Sequence, residues 1–278
     1  MTWVGPTGGG ANNGTPVQQS RVLTNSGSIT SSANNQVIEG LNLTGAGLFI
    51  NIAHNNVTVR QCNINTSGSN QVLIGMGAGG SVTGVTIEDC LINGNKASLE
   101  GIYTLNAITG GSQNIIRRCN IRGCENNITI FPGDNFSITD NLSTNSGNSF
   151  GAPPHLDHLE MYGGANNTIS HNYFDGQFDD AGVVSSINIT GQGNNISSLA
   201  VNNNMHANFN NNAAWVINDD NTQGGTVSLT SCVNNGFYNK GASAYRRDAV
   251  TITTNNSNYD AATSIATSGS LINGTGII

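Results

Sequence analysis

The stretch NNTISHNYFDG, from Asn166 to Gly176, decides the fold because similar sequence segments recur along most of the chain. Within it, Ile169 and Phe174 are the inward-pointing apolar residues of two short predicted strands, and Asn172 lies at the bend between them. Similar segments are NNVTVRQCNIN (55–65), SVTGVTIEDCLING (81–94), QNIIRRCNIRG (113–123), DNFSITDNLST (134–144) and TVSLTSCVNNG (226–236), with looser copies at NNISSLAVNNNMH (194–206) and AVTITTNNSN (249–258).

Alignment of these segments places one residue of each copy in a column at the bend. The column contains Cys62, Cys90, Cys119, Asn141, Asn172, Asn204, Cys232 and Asn255. A supersecondary unit that repeats every 20 to 50 residues indicates a solenoid, and strands without helical stretches between them indicate a β-solenoid. Each coil is too short to bury its own apolar side, so it must stack on its neighbours at a spacing of about 4.8 Å.

The composition agrees with stacked coils. The chain has 278 residues, of which 45 are Asn and 36 are Gly. Asn suits bends because it tolerates left-handed backbone angles and because its amide can bond to the backbone or to the next Asn of a ladder. The alternative is a disordered low-complexity chain, but the apolar alternation persists in every copy and disorder predicts no such pattern.

This repeat resembles the right-handed parallel β-helix of the pectate-lyase-like superfamily, over about Val37 to Ile252. That superfamily includes polysaccharide lyases, polygalacturonase-type hydrolases, alginate epimerases and phage tailspikes. The resemblance implies an all-β, right-handed parallel β-helix of about nine to ten coils. We expect an N-terminal leader or cap at 1–36, the β-helix at 37–258 and a C-terminal cap at 259–278.

Charge and hydropathy exclude some classes of function. Charged residues make up 9% of the chain and the net charge is -7, so the basic footprint of a nucleic-acid-binding protein is absent. Residues 1–36 have neither a basic start nor an apolar run, so we expect no secretory signal and no membrane insertion. An extracellular location, or one on a virion released at lysis, is the expectation.

The cysteines and the arginine cluster have structural interpretations. Four of the five cysteines fall in the bend column, where spacing alone would allow a disulfide but where free buried thiols are expected because parallel side chains seldom meet the required torsion. No pair has the spacing of a zinc site. Arg117, Arg118 and Arg122 are expected to pair with Glu88, Asp89 or Asp140 on neighbouring coils.

Histidines and carboxylates crowd together in HLDHLEMY, from His155 to Tyr162. With the bend column as register, Leu159 and Met161 take the inward positions that Ile128 and Ile130 hold one coil below. Period-two alternation then sends the side chains between them outward on one face. The residues expected there as catalytic candidates are Asp157, His158, Glu160 and Tyr162.

Neighbouring turns and coils add polar residues to the same face. The expected ligand-binding residues are His155, Asp179, Asp180, Asn188, Asn218 and Asn127. Carboxylates, imidazoles, amides and an aromatic ring suit sugar recognition, since hydroxyls need donors and acceptors and a sugar ring needs an apolar plate. His155, Asp157 and Glu160 resemble an H-x-D-G-I-Q signature found in bacterial and phage β-helix proteins, with His158 in place of the Gly and Glu160 in place of the Gln.

Several chemistries fit these residues. A hydrolase needs two carboxylates about 5 to 9.5 Å apart, which Asp157 or Glu160 with Asp179 or Asp180 could supply, although the N-T-D and G-H-G segments of polygalacturonases are missing. A lyase could use His158 and Tyr162 as base and acid, with a calcium ion held by Asp157, Glu160 and Asp180. Apart from that calcium, no cofactor is expected.

The sequence therefore predicts carbohydrate recognition by an extracellular or virion-borne β-helix protein, such as a phage tail fibre or tailspike-like protein. Its partner would be a polysaccharide or cell-surface glycan, and it could assemble as a homotrimer or with other virion proteins. A secreted polysaccharide lyase or glycoside hydrolase acting on the same face is the alternative. In a purely structural fibre, the polar groups would only form hydrogen-bond ladders between coils.

Overall fold

A computed structural model describes residues 22–68, 72–144, 156–175, 183–207, 215–220, 224–233, 235–238, 243–247, 257–259, 266–268, 271–272 and 275–276. These residues form strands and turns and include no helix. The fold is therefore all-β, as the repeat predicted. The predicted leader is described only from Val22 onward, and Asn255 of the predicted bend column lies outside the described residues.

The strands are mostly short. The first ten are β1 Thr24–Asn25, β2 Ile29–Thr30, β3 Val37–Glu39, β4 Leu41–Ala46, β5 Ile50–Ile52, β6 Thr58–Arg60, β7 Asn63–Ser67, β8 Val72–Met76, β9 Thr86–Glu88 and β10 Leu91–Thr104. The next ten are β11 Asn114–Arg117, β12 Asn120–Ile130, β13 Phe136–Thr139, β14 Leu142–Thr144, β15 Leu156–Met161, β16 Gly164–Ala165, β17 Thr168–Ser170, β18 Tyr173–Asp175, β19 Val183–Thr190 and β20 Ile196–Asn202. The last nine are β21 Met205–Ala207, β22 Trp215–Asp220, β23 Val227–Val233, β24 Gly236–Tyr238, β25 Ser243–Arg247, β26 Ser257–Tyr259, β27 Ala266–Ser268, β28 Leu271–Ile272 and β29 Thr275–Gly276.

These strands stack as a parallel β-solenoid. A coil consists of three strands, such as β6, β7 and β8, and each strand pairs in parallel with its counterpart on the next coil. The long strands β10 and β12 each supply two of the three positions. The described residues hold fewer coils than the nine to ten expected.

The core is built from columns of one apolar residue per coil. In the first strand of the coil, paired positions run Ile38, Val59, Ile87, Ile116, Ile138, Ile169, Val201 and Cys232. All of them are buried. Burial of an aliphatic side chain of this size stabilises a fold by about 1.5 to 3 kcal/mol. A coil gains this stabilisation only when the neighbouring coils cover its apolar side chains.

The bend column is a hydrogen-bonded ladder of buried asparagines. The amide nitrogens of Asn141, Asn172 and Asn204 each donate to the Oδ1 atom of the column residue on the next coil, at 3.0 Å. The acceptor for Asn204 is Asn235, so the prediction of Cys232 at this position is wrong by three residues. Cys232 belongs instead to the inward column of the first strand, where it pairs with Val201.

The left-handed residue at this bend comes one position before the column. Backbone φ is positive at Gln61, Asp89, Arg118, Asp140 and His171, with values from 51° to 58°. In this column, therefore, the buried Asn contributes its amide rather than its tolerance of left-handed angles. Asparagine does occupy left-handed positions elsewhere in the coils, as in Asn35, Asn56, Asn135 and Asn166.

The expectation of free, buried thiols is confirmed, and so is the pairing of Arg117 and Arg118. The expected pairing of Arg122 is wrong, because its guanidinium forms no ion pair within the described part of the chain. All five cysteines are free and buried, and burial helps to raise the pKa of the Cys90 and Cys124 thiols. Arg118 forms two hydrogen bonds to Asp89, each of 2.8 Å, and Arg117 pairs with Glu88 at 2.7 Å. Hydrogen bonding to the Asp89 carboxylate raises the pKa of Arg118.

No helix that is long and apolar enough to cross a bilayer occurs among the residues described.

Candidate functional site

The third strand of four successive coils presents a row of polar side chains. The register stacks Glu100, Asn126, Asp157 and Ser185 in one column. Three residues further along each strand, Thr129, Glu160 and Asn188 form a second column. The residues between the two columns include Ile128, Leu159 and Ile187, which belong to the core, as the sequence predicted for Leu159.

Two amides connect three carboxyl groups in this row. The Nδ2 atom of Asn126 donates to Glu100 Oε1 at 3.4 Å and to Glu160 Oε2 at 3.0 Å. The Nδ2 atom of Asn188 donates to Asp157 Oδ2 and to Glu160 Oε1, both at 3.1 Å. We call Glu100, Asp157 and Glu160 the carboxylate cluster. The amides hold its members within one network across four coils.

Hydroxyl groups complete the network. Thr129 Oγ1 donates to Glu100 Oε2, and Ser185 Oγ donates to Asp157 Oδ1, each at 2.6 Å. Glu100 is 7% exposed, Glu160 2% and Asp157 0%. Burial of a carboxyl group is costly unless hydrogen bonds replace those that water made. The amide and hydroxyl donors named above supply such hydrogen bonds to the oxygens of Glu100, Asp157 and Glu160.

Burial and mutual repulsion favour a proton in the cluster. Burial, together with the negative charge of Glu160, raises the pKa of Glu100 well above its usual value, although the hydrogen bond from Thr129 opposes the shift. Burial also raises the pKa of Tyr162, and so do the charge of Glu160 and a hydrogen bond to it. Like charges that share a site seldom ionise together, which adds to the effect of burial on Glu100.

An aromatic pair lies beside the cluster. Phe131 and Tyr162, which follow the ends of β12 and β15, meet edge to face with ring centroids 5.7 Å apart and planes at 71°. Phe131 is 38% exposed and Tyr162 is half-buried. Tyr162 is two residues after Glu160, whose charge helps to raise the pKa of the Tyr162 hydroxyl, so this ring lies beside the cluster and next to an exposed apolar ring.

His158 is on the inner side of the coil and not on the face of Glu160. Its Nδ1 atom lies 2.8 Å from Ser143 Oγ, and its ring centroid is 6.0 Å from that of the core residue Phe174. The reason is a break in alternation: Leu159 and His158 both point to the interior, so Asp157 and Glu160 are the outward residues on either side. Burial lowers the pKa of His158 to about 3.

Asn127 differs from the expectation for the same reason. It lies one coil below His158, is fully buried, and donates from Nδ2 to Ser143 Oγ at 2.8 Å and to the Ile121 carbonyl oxygen at 3.3 Å. Its amide supports the interior of the coil, so it does not join the polar row with Asn126.

The other predicted residues divide into two groups. Asp157, Glu160, Tyr162 and Asn188 lie close together, but Asp157, Glu160 and Asn188 are buried instead of exposed on an outer face. His155, Asp179 and Asp180 lie outside the described residues, and for Asn218 the structure describes the backbone, which pairs with Asn188. The roles assigned to these residues in catalysis and binding stay predictions.

Glu100 and Asn126 are central to the network but were not among the predicted site residues. The register that placed Asn126 below Asp157 was correct, and one more step down the same column would have reached Glu100. Glu100 was missed because extra residues between Asn93 and Ser98 shift the register of β10 against β12, and the repeat pattern does not show this shift.

Among the described residues, no group of three or more His, Cys, Asp or Glu side chains could hold a metal ion. The calcium site expected from Asp157, Glu160 and Asp180 includes a residue outside that part of the chain, so it stays a prediction.

Comparison with protein-family models, with curated proteins and with solved structures gives no match to this chain.

Proposed function

We propose that the protein binds carbohydrate at the face formed by the aromatic pair and the carboxylate cluster. The observation that carries the proposal is the exposed Phe131 ring against Tyr162, directly beside Glu160. Sugar rings have apolar C–H faces that pack on aromatic rings, and their hydroxyls pair with nearby polar groups.

The cluster has a positioning role in this proposal. Glu160 is nearly inaccessible, so the ligand would touch the aromatic pair, while the half-buried Tyr162 ring is held beside the cluster by its packing against Phe131. A side chain that is already ordered loses little conformational entropy on binding, which favours affinity.

Glycoside hydrolysis is the second candidate, favoured by the unequal environments of Glu100 and Glu160. Glu100, whose pKa is raised by burial, would be the general acid and Glu160 or Asp157 the second carboxyl group that such reactions require. This candidate needs the substrate to reach Glu100, which is 7% exposed.

The repeat and the polar, Asn-rich composition support a wider proposal. We infer membership of the pectate-lyase-like β-helix superfamily and a place outside the cell or on a virion, as in a tail fibre or tailspike-like protein. Assembly as a homotrimer belongs to the same proposal.

A panel of neutral and acidic polysaccharides tests the proposal, with binding and the release of reducing ends followed in the same samples. We expect one or more ligands to bind, and Phe131→Ala and Tyr162→Ala to weaken binding about tenfold, which corresponds to the loss of one aromatic contact. The matched control is Val37→Ala, which removes an exposed apolar side chain on β3 and should leave binding unchanged.

The outcomes separate the two candidates. A rise in reducing ends that is lost in Glu100→Gln supports hydrolysis, and binding without such a rise supports recognition alone. The proposal is wrong if no polysaccharide binds, or if both aromatic variants bind as tightly as the wild type.

A further inference from the structure

A bulge interrupts the outer surface where β10 lies against β12. Asn93 pairs with Arg122 and Ser98 with Cys124, so residues 94–97 lie opposite Gly123 alone. We call residues 94–97 the bulge. It adds chain at one corner of one coil, which a repeat built only for stacking does not require.

Hydrogen bonds fix the conformation of the bulge. Asn95 N donates to Asn93 Oδ1 at 3.1 Å, and Asn93 Nδ2 donates to Asn95 Oδ1 at 2.9 Å. Asn95 Nδ2 also donates to the Thr66 carbonyl oxygen on the coil below, at 3.2 Å. The bulge is thus held to its own strand and to the neighbouring coil.

The backbone of the bulge is in an unfavourable region. The consecutive residues Asn95 and Lys96 have φ values of 55° and 58°. For a lysine, this left-handed conformation costs free energy. Backbone strain of this kind persists where the surrounding structure imposes it, often at a functional site.

A pocket of about 280 Å³ lies between the bulge and β12, lined by Asn93, Asn95, Lys96, Arg122 and Gly123. Gly123 keeps it open at one side, since a Cβ atom there would lie 2.8 Å from Asn93 Oδ1 and 3.0 Å from Asn95 N. The volume is near the lower end of the range for small-molecule sites, about 300 to 1,000 Å³. It suits a small ligand or one substituent of a larger one.

Two of the nine basic residues of an acidic chain meet at this pocket. Arg117 and Arg118, on the same coil as Arg122, are paired with Glu88 and Asp89. The Arg122 guanidinium, by contrast, has no ion pair or hydrogen bond within the described part of the chain. A guanidinium with unused donors next to a lysine is a favourable site for an anion.

We propose that this pocket binds an oxyanion group, namely sulfate, phosphate or carboxylate, through Arg122 and Lys96. The planar fork of Arg122 would pair with two oxygens, and the Lys96 ammonium would add a third charge-assisted contact. The inference goes beyond carbohydrate binding and does not depend on it, because its residues are separate from the aromatic pair and the carboxylate cluster.

Titration with sodium sulfate, followed by two-dimensional ¹H–¹⁵N NMR, tests the pocket against sodium chloride at matched ionic strength. We expect saturable, sulfate-specific shifts of the Lys96 and Gly123 amides. Loss of either charge should weaken sulfate about tenfold, since each removes one charge-assisted contact. The variants are Arg122→Gln and Lys96→Gln, and the control is Arg60→Gln, an exposed arginine paired with Glu39 on β3 and β6.

A second titration, with a sulfated oligosaccharide and its desulfated form, distinguishes a free anion from an acidic substituent. Tighter binding of the sulfated form than of inorganic sulfate would assign the pocket to a glycan substituent, and equal affinity would assign it to the free anion. Both results keep the oxyanion site.

Two results would overturn the proposal. One is an equal response to sulfate and chloride in the wild type, and the other is wild-type sulfate affinity in both charge variants. Circular dichroism shows whether each variant is folded. The two substitutions are on neighbouring coils, so if one variant fails to fold, the other still tests whether its charge contributes to sulfate binding. These results concern inorganic sulfate, so they leave the test of carbohydrate binding unaffected.

Discussion

In the coils where the bend column is Asn, a single buried amide supplies hydrogen bonds that the bend would otherwise lack. Asn172 Nδ2 donates to the Ile138 carbonyl oxygen at 2.9 Å and to Asn204 Oδ1 at 3.0 Å. Its Oδ1 accepts from the backbone nitrogen of Asn141, also at 3.0 Å. One side chain therefore satisfies polar groups on three coils, none of which can reach water.

Asn172→Ala should accordingly destabilise the fold strongly. It leaves a buried backbone N–H and a buried carbonyl oxygen without these partners, and each such group costs about 1 to 3 kcal/mol. We expect the free energy of unfolding, measured with urea, to fall by about 3 kcal/mol. In the control Asn166→Gly, an exposed residue with φ of 58° is replaced by one that accepts this angle, so the change should stay within about 0.5 kcal/mol. Equal effects of the two substitutions would contradict the role given to the ladder.

At the scale of elements, β15, β18 and β21 contribute three neighbouring rings to the interior, of which those of Phe174 and His206 are stacked. Phe174 lies between the two histidines, 6.0 Å from the His158 ring and 5.3 Å from the His206 ring, measured between centroids. His206 Nδ1 lies 2.7 Å from Ser186 Oγ. Burial lowers the pKa of both histidines to about 3, and for His206 the neighbouring His158 adds to the effect.

These shifts predict a loss of stability in acid. Both histidines are neutral in the fold, while in the unfolded chain they take up protons below about pH 6.5. Stability should therefore fall as the pH drops from about 6.5 to about 3, by about 1.4 kcal/mol per pH unit for each histidine.

Urea unfolding at a series of pH values checks this expectation. His206→Gln should reduce the slope of the unfolding free energy against pH by about 1.4 kcal/mol per unit within that window. Phe174→Leu, which disturbs the same stack without removing a titratable group, should lower stability but keep the slope. An unchanged slope in His206→Gln would show that this histidine is not buried in its neutral form.

The elements also show how far the sequence alone could go. The repeat placed Ile128 under Leu159 and Ile130 under Met161 correctly, because the inward apolar columns determine the register. It failed at His158, where two successive residues turn inward, and at Cys232, where an apolar residue three positions before Asn235 resembled a column member. Both errors occur where a polar or bent segment removes the apolar alternation that carries the register.

For the molecule as a whole, stacking turns a weak local pattern into extended surfaces. The carboxylate cluster draws Glu100 from one coil and Asp157 and Glu160 from another, and the oxyanion pocket joins two coils through Lys96 and Arg122. Neither surface exists within one repeat. Residues far apart in sequence therefore meet at fixed spacing, an arrangement suited to a ligand that is itself a chain of repeated units.

The central claim is that carbohydrate meets the aromatic pair, and aromatic ¹H–¹³C NMR tests it most directly. With the tightest ligand of the polysaccharide panel, reduced to a soluble oligosaccharide, the ring signals of Phe131 and Tyr162 should shift in a saturable way, while those of the buried Phe136 and Phe174 should change little. Assignment uses Phe131→Leu and Tyr162→Phe. Shifts confined to other aromatic residues, or no shifts at ligand saturation, would contradict the account.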